Sequence, residues 1–281
     1  MSKIISCKDY VAIQKAEIKE FISKLATKPC LAVVQVDSDN ASNSYIKGKR
    51  SDSVELGISF VHVPIESENC NQDEFENLLK DLDKAENING IIIQLPIPDK
   101  YDLDRLQNCI SPQKDVDGFR KDSCFNACTP KGVVDWLKYN KYEFNGKNAV
   151  VVGRSKIVGK PLVNMLIDEG ATVTCCNSKT KDLWSHTKRA DLVISAIGLP
   201  KFFDSRYFAY VNDIIVDIGI NRDKNGNLCG DVNRDELFEV FGDGIYVTPV
   251  PSGVGLLTRI ALMKNVTDAY MLQNRIEVKM W

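Results

Sequence analysis

Apolar and polar positions change rhythm along this chain in a repeating way. Short apolar runs of strand length, Leu31 to Val36, Ile58 to Val63 and Gly90 to Leu95, alternate with segments whose apolar positions recur at helical spacing. Those helical segments are Ser42 to Leu56, with Ser42 or Asn43 near the N-cap and Gly57 at the end, and the amphipathic stretch Asp73 to Ala85. The second half repeats the rhythm. It predicts strands at 148–152, 172–176, 191–197 and 213–218, with helices near 159–169, 181–187 and 204–209. Asn225-Gly226 is a hairpin signal between Ile220 and Leu228. Near-continuous apolar strands separated by helices imply parallel sheets covered on both faces.

The pattern therefore predicts an α/β fold: two three-layer α/β domains flanking a cleft, the second a Rossmann-like parallel sheet for a dinucleotide. No glycine- or serine-rich linker separates them, and the seam is expected at Asp122 to Lys131, ahead of a helix at Gly132 to Tyr139. The expected first domain is 1–125, completed by a C-terminal helix within 260–281. That helix belongs to an apolar run from about Gly255 to Arg275. The second domain is expected at 126–259. Ligands should sit at the carboxyl ends of the strands.

Composition narrows the classes. A chain of 281 residues has room for two domains, and 44% hydrophobic with 26% charged residues is a globular balance. A formal net charge of −2 offers no general attraction to nucleic acid or to a membrane surface, so any anion site must be local. The amino terminus lacks a signal-peptide core and no stretch reaches membrane-spanning length, so a cytoplasmic enzyme is expected. Nine cysteines occur without a Cys-x-x-Cys spacing and with only two histidines, so free thiols are expected and no metal site. Scarce histidine also argues against Ser/His/Asp or Cys/His catalysis. A lysine or a carboxylate must then move any proton.

The densest chemistry lies in AVVVGRSKIVGKP, 149–161. An apolar strand runs into Gly153, Arg154 and Ser155, with Gly159 and Pro161 behind. The glycine permits close backbone approach, and the helix start should offer free N–H groups to an anion. Arg154 is a cation where a dinucleotide's adenosine ribose usually lies, which suits a 2′-phosphate. An ordinary turn with a surface arginine is the bland alternative. In the first half, Tyr45 and Lys49 are four apart on one helix, Gln94 closes the run GIIIQ of GIIIQLPIP at a strand's carboxyl edge, and Asp115 and Asp117 in KDVDGF are two apart, with Gly118 making the turn. Each has its own bland reading: an exposed helical face, a strand cap, and turn formers.

Taken together these segments resemble the bifunctional methylenetetrahydrofolate dehydrogenase/methenyltetrahydrofolate cyclohydrolase family. The likeness runs collinearly through SYIKGK, GIIIQLPIP, KDVDGF, CTPKG at 128–132, VVVGRSKIVGKP, IVDIGINR at 215–222, GDV at 230–232 and TPVPSGVG at 248–255. The resemblance implies NADP-dependent oxidation of 5,10-methylenetetrahydrofolate followed by hydrolysis of the methenyl product, and usually a homodimer. It implies that Lys49 is the essential lysine, since a bound cation favours the neutral amine of a neighbouring lysine. By the same likeness Gln94 holds Lys49 or the water, Tyr45 packs on the folate ring and supports Lys49, and Asp117 accepts from the pterin's N–H edge. Leu95 and Pro251 join these as substrate-binding positions. Arg154 and Ser178 match the family's 2′-phosphate contacts. Gly153, Ser155, Ile157, Asn177, Ala196, Ile218, Ile220, Gly255 and Thr258 fall where the family lines the dinucleotide.

The chain departs from the family in places. Asn177 stands where a histidine is usual, Ser252 replaces a glycine, Leu256 replaces a proline, and the 119–128 connection is short. Two readings within or near the family stay open: a dehydrogenase without cyclohydrolase activity, and a non-catalytic folate- or nucleotide-binding relative. A short-chain dehydrogenase, which also carries Tyr-x-x-x-Lys, fits poorly because Tyr45 precedes Gly153.

Overall fold

The computed structural model describes residues 6–209 and 214–276. In chain order the elements are α1 (Cys7–Ser23), β1 (Cys30–Val36), α2 (Asn40–Leu56), β2 (Ser59–Ile65), α3 (Gln72–Lys84), β3 (Gly90–Gln94) and α4 (Leu103–Gln107). They continue with α5 (Cys128–Tyr139), β4 (Asn148–Val152), α6 (Gly159–Asp168), β5 (Thr172–Cys176), α7 (Leu183–Thr187) and β6 (Leu192–Ser195). Last come β7 (Ile214–Asp217), β8 (Asn221–Arg222), β9 (Leu228–Cys229), α8 (Arg234–Phe241), β10 (Tyr246–Val247) and α9 (Val254–Gln273). They form two compact bodies. Among the described residues one comprises Ala12–Cys128 with 259–276, and the other comprises Thr129–Thr258 with 6–11, so the start of the chain groups with the second domain and not, as expected, with 1–125.

In the first body a parallel sheet runs in the order β2-β1-β3. Every residue of β1 is buried, so both faces of the sheet are covered, as the continuous apolar run requires. The chain leaves β1 through α2 to reach β2, then returns past β1 through α3 to reach β3. Right-handed crossovers in opposite directions put these helices on opposite faces, giving the three layers. On the α3 face Ala32, Val34, Ile91 and Ile93 pack with Phe75, Leu79 and Leu106. Asn71 starts α3 with a full capping box, its side chain accepting from Glu74 N while Glu74 accepts from Asn71 N. The direction of the connections reverses between β1 and β3, where Gln35 and Gln94 lie in register at the carboxyl ends.

The second body holds a five-stranded parallel sheet in the order β10-β7-β6-β4-β5. Here the reversal falls between β4 and β6, the place where such a sheet opens a crevice for a dinucleotide. Val150, Val152, Val193 and Ile215 form its core with Phe203, Phe208 and Leu237. The Asn225-Gly226 turn joins the short antiparallel pair β8 and β9, with Gly226 at φ +82°.

Several expectations about element ends need correction. Helix α2 begins at Asn40 rather than at Ser42, because Asp39 is the cap: its carboxylate accepts from Ser42 N at 2.9 Å while Ser42 Oγ accepts from Asp39 N. Helix α5 starts at Cys128, earlier than Gly132. The helix expected at 204–209 is a single 3₁₀ turn over Ser205–Tyr207, started by the Asp204 carboxylate. Helix α9 ends at Gln273, and of the C-terminal segment 260–281 the positions 277–281 lie outside the described residues. Helices α1, α4 and α8 and strand β10 were not anticipated.

Candidate functional site

In the first body three of the singled-out side chains converge. Lys49, half-buried on α2, donates from Nζ to Gln94 Oε1 at 3.0 Å. Gln94 is buried at the end of β3, and its Nε2 donates to the Leu95 carbonyl at 2.7 Å, which fixes which end of the amide faces Lys49. Gln35, its neighbour in register on β1, is also buried. Its Nε2 donates to Ser42 Oγ and Asn43 Oδ1, tying the start of α2 to the sheet. Helix α2 thus presents Lys49 to Gln94 because the Gln35 amide anchors one end and the switch between β1 and β3 leaves room at the other.

Asp117 completes the cluster. Part of its surface still reaches solvent, yet dense packing around the carboxyl pushes its pKa up to about 6; the Lys49 charge pulls it down and the Asp115 charge pushes it further up. Gly118 follows at φ +70°, and any Cβ there would strike the backbone of Asn126 and Ala127. Asp115 has a different job. It is buried, forms a parallel bridge with Ile91, and accepts from Arg120 N at 2.9 Å, so it builds the short connection that follows. Tyr45 lies one turn before Lys49 and is 42% exposed. No hydrogen bond joins it to Lys49 among the described residues, so any support of Lys49 by Tyr45 is through packing.

In the second body the crevice residues sit on loops after the strands. Gly153 follows β4 at φ +127°, and a Cβ there would collide with the Ala196 carbonyl at the end of β6. Arg154 is exposed and has no ion pair among the described residues. Residues Asn177, Ser178 and Lys179 directly after β5 carry no carboxylate, so nothing there repels a 2′-phosphate. The residues present therefore fit NADP: an unpaired guanidinium and an exposed hydroxyl at Ser178. Asn177 is partly buried, its Oδ1 accepting from Lys179 N two residues on.

One expectation fails here. The start of α6 was to offer free N–H groups to an anion. Instead Ser155 Oγ accepts from Val158 N and Gly159 N, at 3.2 and 3.3 Å, while Lys160 N bonds the Ser155 carbonyl. Pro161 has no N–H to offer. Ser155 thus occupies the N–H groups at the start of α6, whose N-cap is Val158, and Arg154 is the cation at this corner. Ile157 is partly buried beside it. Ile218 and Ile220 follow β7, with Ile220 half-exposed and in contact range of any Cβ built on Gly255. Thr258 Oγ1 bonds Thr129 Oγ1 at 3.0 Å and the Val254 carbonyl. Pro251 belongs to this second body, exposed just before Ser252, whose φ is +76°.

The sequence reading missed what orders these loops. Asp217, at the end of β7, and Asp231 are both buried and together accept seven hydrogen bonds within the body. Burial pushes the Asp217 pKa up to about 6 against its backbone donors. A carboxylate closing an all-apolar strand, as in IIVD, was the available signal.

A lysine–glutamine–aspartate cluster at one parallel-sheet switch point, and a glycine–arginine corner at another, define a two-domain α/β dinucleotide-dependent enzyme. The chain belongs to the tetrahydrofolate dehydrogenase/cyclohydrolase family. It matches that family's catalytic domain over residues 5–117 and its NAD(P)-binding domain over 127–274. It is 42% identical over 276 residues to "Bifunctional protein FolD" of Caldicellulosiruptor saccharolyticus, covering 92% of this chain and 97% of the relative. The protein of the same name from Clostridium tetani is 38% identical over 269 residues, with 91% and 95% covered. Among solved structures, the bifunctional methylenetetrahydrofolate dehydrogenase/cyclohydrolase from Campylobacter jejuni superposes with TM-score 0.88 at 36% identity, over 96% of this chain and 98% of that one. The Trypanosoma brucei enzyme, complexed with NADP cofactor and inhibitor, gives 0.87 at 26% identity, over 97% and 98%.

Proposed function

We propose that the Lys49, Gln94 and Asp117 cluster handles the folate chemistry and the Gly153 and Arg154 corner holds NADP. The chain oxidises 5,10-methylenetetrahydrofolate to the methenyl compound and hydrolyses that to 10-formyltetrahydrofolate. When bound, NADP supplies a hydride acceptor. The carbon that loses hydride becomes a cation shared with its two nitrogens, so this step asks the protein for orientation more than for an acid or base. Asp117 provides orientation by accepting from the pterin's N–H edge, and Tyr45, Leu95 and Pro251 contribute apolar contact.

Hydrolysis needs a base. Water adds to the methenyl carbon and gives one proton to Lys49 Nζ, leaving a hydroxyl on that carbon. The bond from the carbon to the ring nitrogen then breaks as the hydroxyl proton passes to that nitrogen, and the oxygen becomes the formyl carbonyl. The bond from Lys49 to Gln94 carries this reading. A neutral amide accepts from Lys49 whether the amine is charged or not, so it orients Nζ without placing a negative charge beside it. Arg154 and Ser178 engage the 2′-phosphate, while Ser155, Ile157, Asn177, Ala196, Ile218, Ile220, Gly255 and Thr258 border the rest of the dinucleotide.

Purified protein with methylenetetrahydrofolate and NADP, followed by absorbance, tests the proposal. Methenyl product that forms and then decays faster than in buffer is expected. Product that accumulates and persists would leave a dehydrogenase alone, and no signal with NADP or NAD would leave a binding protein. Kinship also supports a cytoplasmic homodimer, for which light scattering should give twice the 31.5 kDa chain mass. Among the described residues no helix is long and apolar enough to cross a membrane.

A further inference from the structure

Asp231 is fully buried in the second body and has no cation among its partners. Its Oδ2 accepts from Ser195 Oγ at 2.7 Å and Ile197 N at 2.9 Å; its Oδ1 accepts from Leu199 N and Asn221 Nδ2, both at 2.9 Å. These donors come from the end of β6, the loop after it, and the segment after β7. Asp217 holds Asp231 in turn, accepting from Asp231 N, Val232 N and Gly219 N at 2.9–3.0 Å. A Cβ on Gly219 would strike the Asp231 carboxylate, and one on Gly230 the Asp217 carboxylate, so both backbones approach as closely as glycine allows.

We propose that Asp231 is a positioning residue for NADP: its carboxylate locks the 196–199 loop to the 218–221 segment and so shapes the two walls that receive the dinucleotide. The inference rests on the reading that Ala196, Ile218 and Ile220 border that ligand. The four donors all lie at the end of β6, in the loop after it, or where the chain re-emerges after β7 into β8. Four donors meet the two carboxylate oxygens with no cation beside them. The amide of asparagine offers one acceptor oxygen and turns two donors toward a third. Because Ser195 Oγ can rotate to accept, the group left facing a donor in Asp231→Asn is Ile197 N, next to Ala196.

The test uses the full chain. Asp231→Asn should raise the KM for NADP roughly tenfold, the equivalent of one charged hydrogen bond, while hydrolysis of methenyl compound supplied directly keeps its kcat. An unchanged KM, or an equal fall in both activities, overturns the positioning role. If Asp231→Asn does not fold, Ser195→Ala and Asn221→Ala each remove one donor and leave the carboxylate. Each should raise the same KM by a smaller factor, and no change in either would sink the inference. Hydrogen exchange on the wild-type protein separates the two layers of argument. Protection of the 196–199 and 218–221 amides by NADP is expected. Its absence would overturn the assignment of these residues to the ligand, and the inference with it. Protection combined with an unaltered KM in the variants would overturn the inference alone.

Discussion

Lys49 Nζ lies 3.0 Å from Gln94 Oε1, on a bond that ties α2 to the carboxyl end of β3 across 45 positions of sequence. The partner is an amide, and that choice has a consequence for pH. Replacing it with a carboxylate at the same place keeps the geometry but adds a charge that favours ammonium over amine. Gln94→Glu should therefore displace the hydrolysis pH profile upward by about one unit or more, and lower the rate near neutrality about tenfold or more. Initial rates of methenyl decay from pH 6.5 to 9.5 measure it. A profile unmoved by the added carboxylate would mean that Lys49 is not the titrating base.

Removing the amine is the blunter test. Lys49→Ala should slow hydrolysis by about 10²–10⁴, the range a positioned base contributes. Because Lys49 is half-buried and its charge acts on Asp117, the variant needs a check by circular dichroism that α2 persists. Hydrolysis at the wild-type rate in a folded variant would remove the base assignment.

Arg154 is exposed and has no ion pair among the described residues, so its charge is available to a ligand and its loss unpairs none of them. Arg154→Ala should raise the KM for NADP about tenfold or more and the KM for NAD much less, as expected for one charge-assisted phosphate contact. Equal changes for both dinucleotides would show that the guanidinium does not meet the 2′-phosphate. Thermal stability should stay near that of the wild type.

What could be read before any coordinates follows from where each signal resides. Strands β1, β3, β4 and β6 were legible because burial on both faces makes each a mostly apolar run, with polar residues chiefly at its ends. Helix α1 carried a pattern too, with buried Tyr10, Gln14, Ile18 and Ile22 at spacing four. One of these is polar and Lys and Glu crowd the intervals, so the segment read only as a charged amino terminus. Strand β10 is two residues long and gives no periodicity at all. At the site, Lys49, Gln94 and Asp117 could be singled out because each ends or faces a predictable element, while the roles proposed for them came from the family resemblance. The capture of the α6 N–H groups by Ser155 depends on one rotamer, and the meeting of Asp217 with Asp231 on a loop return after β9. Spacing along the chain encodes neither.

Asp117 makes a further prediction, because its carboxyl titrates near pH 6 in the folded chain, above its ordinary value of 3.8. A folded-state value above the unfolded one means that the neutral acid is favoured by folding. That contribution is complete below the unfolded value and is lost as pH rises through the folded one, mostly between about pH 4 and pH 6. Asp117→Asn is neutral at every pH and escapes this loss. The variant should be more stable than the wild type at pH 7.5 by on the order of 1–3 kcal/mol relative to the difference between the two at pH 4. Asp217 has a similar shift but is present in both proteins and cancels in the comparison. Urea unfolding at the two pH values measures the gap, and a gap that does not change with pH would show that Asp117 is not held near neutrality by its surroundings. The same variant should lose folate turnover, since asparagine offers one acceptor where the pterin edge meets two. A stabilised protein with impaired chemistry is what a carboxylate retained for binding at the expense of folding predicts.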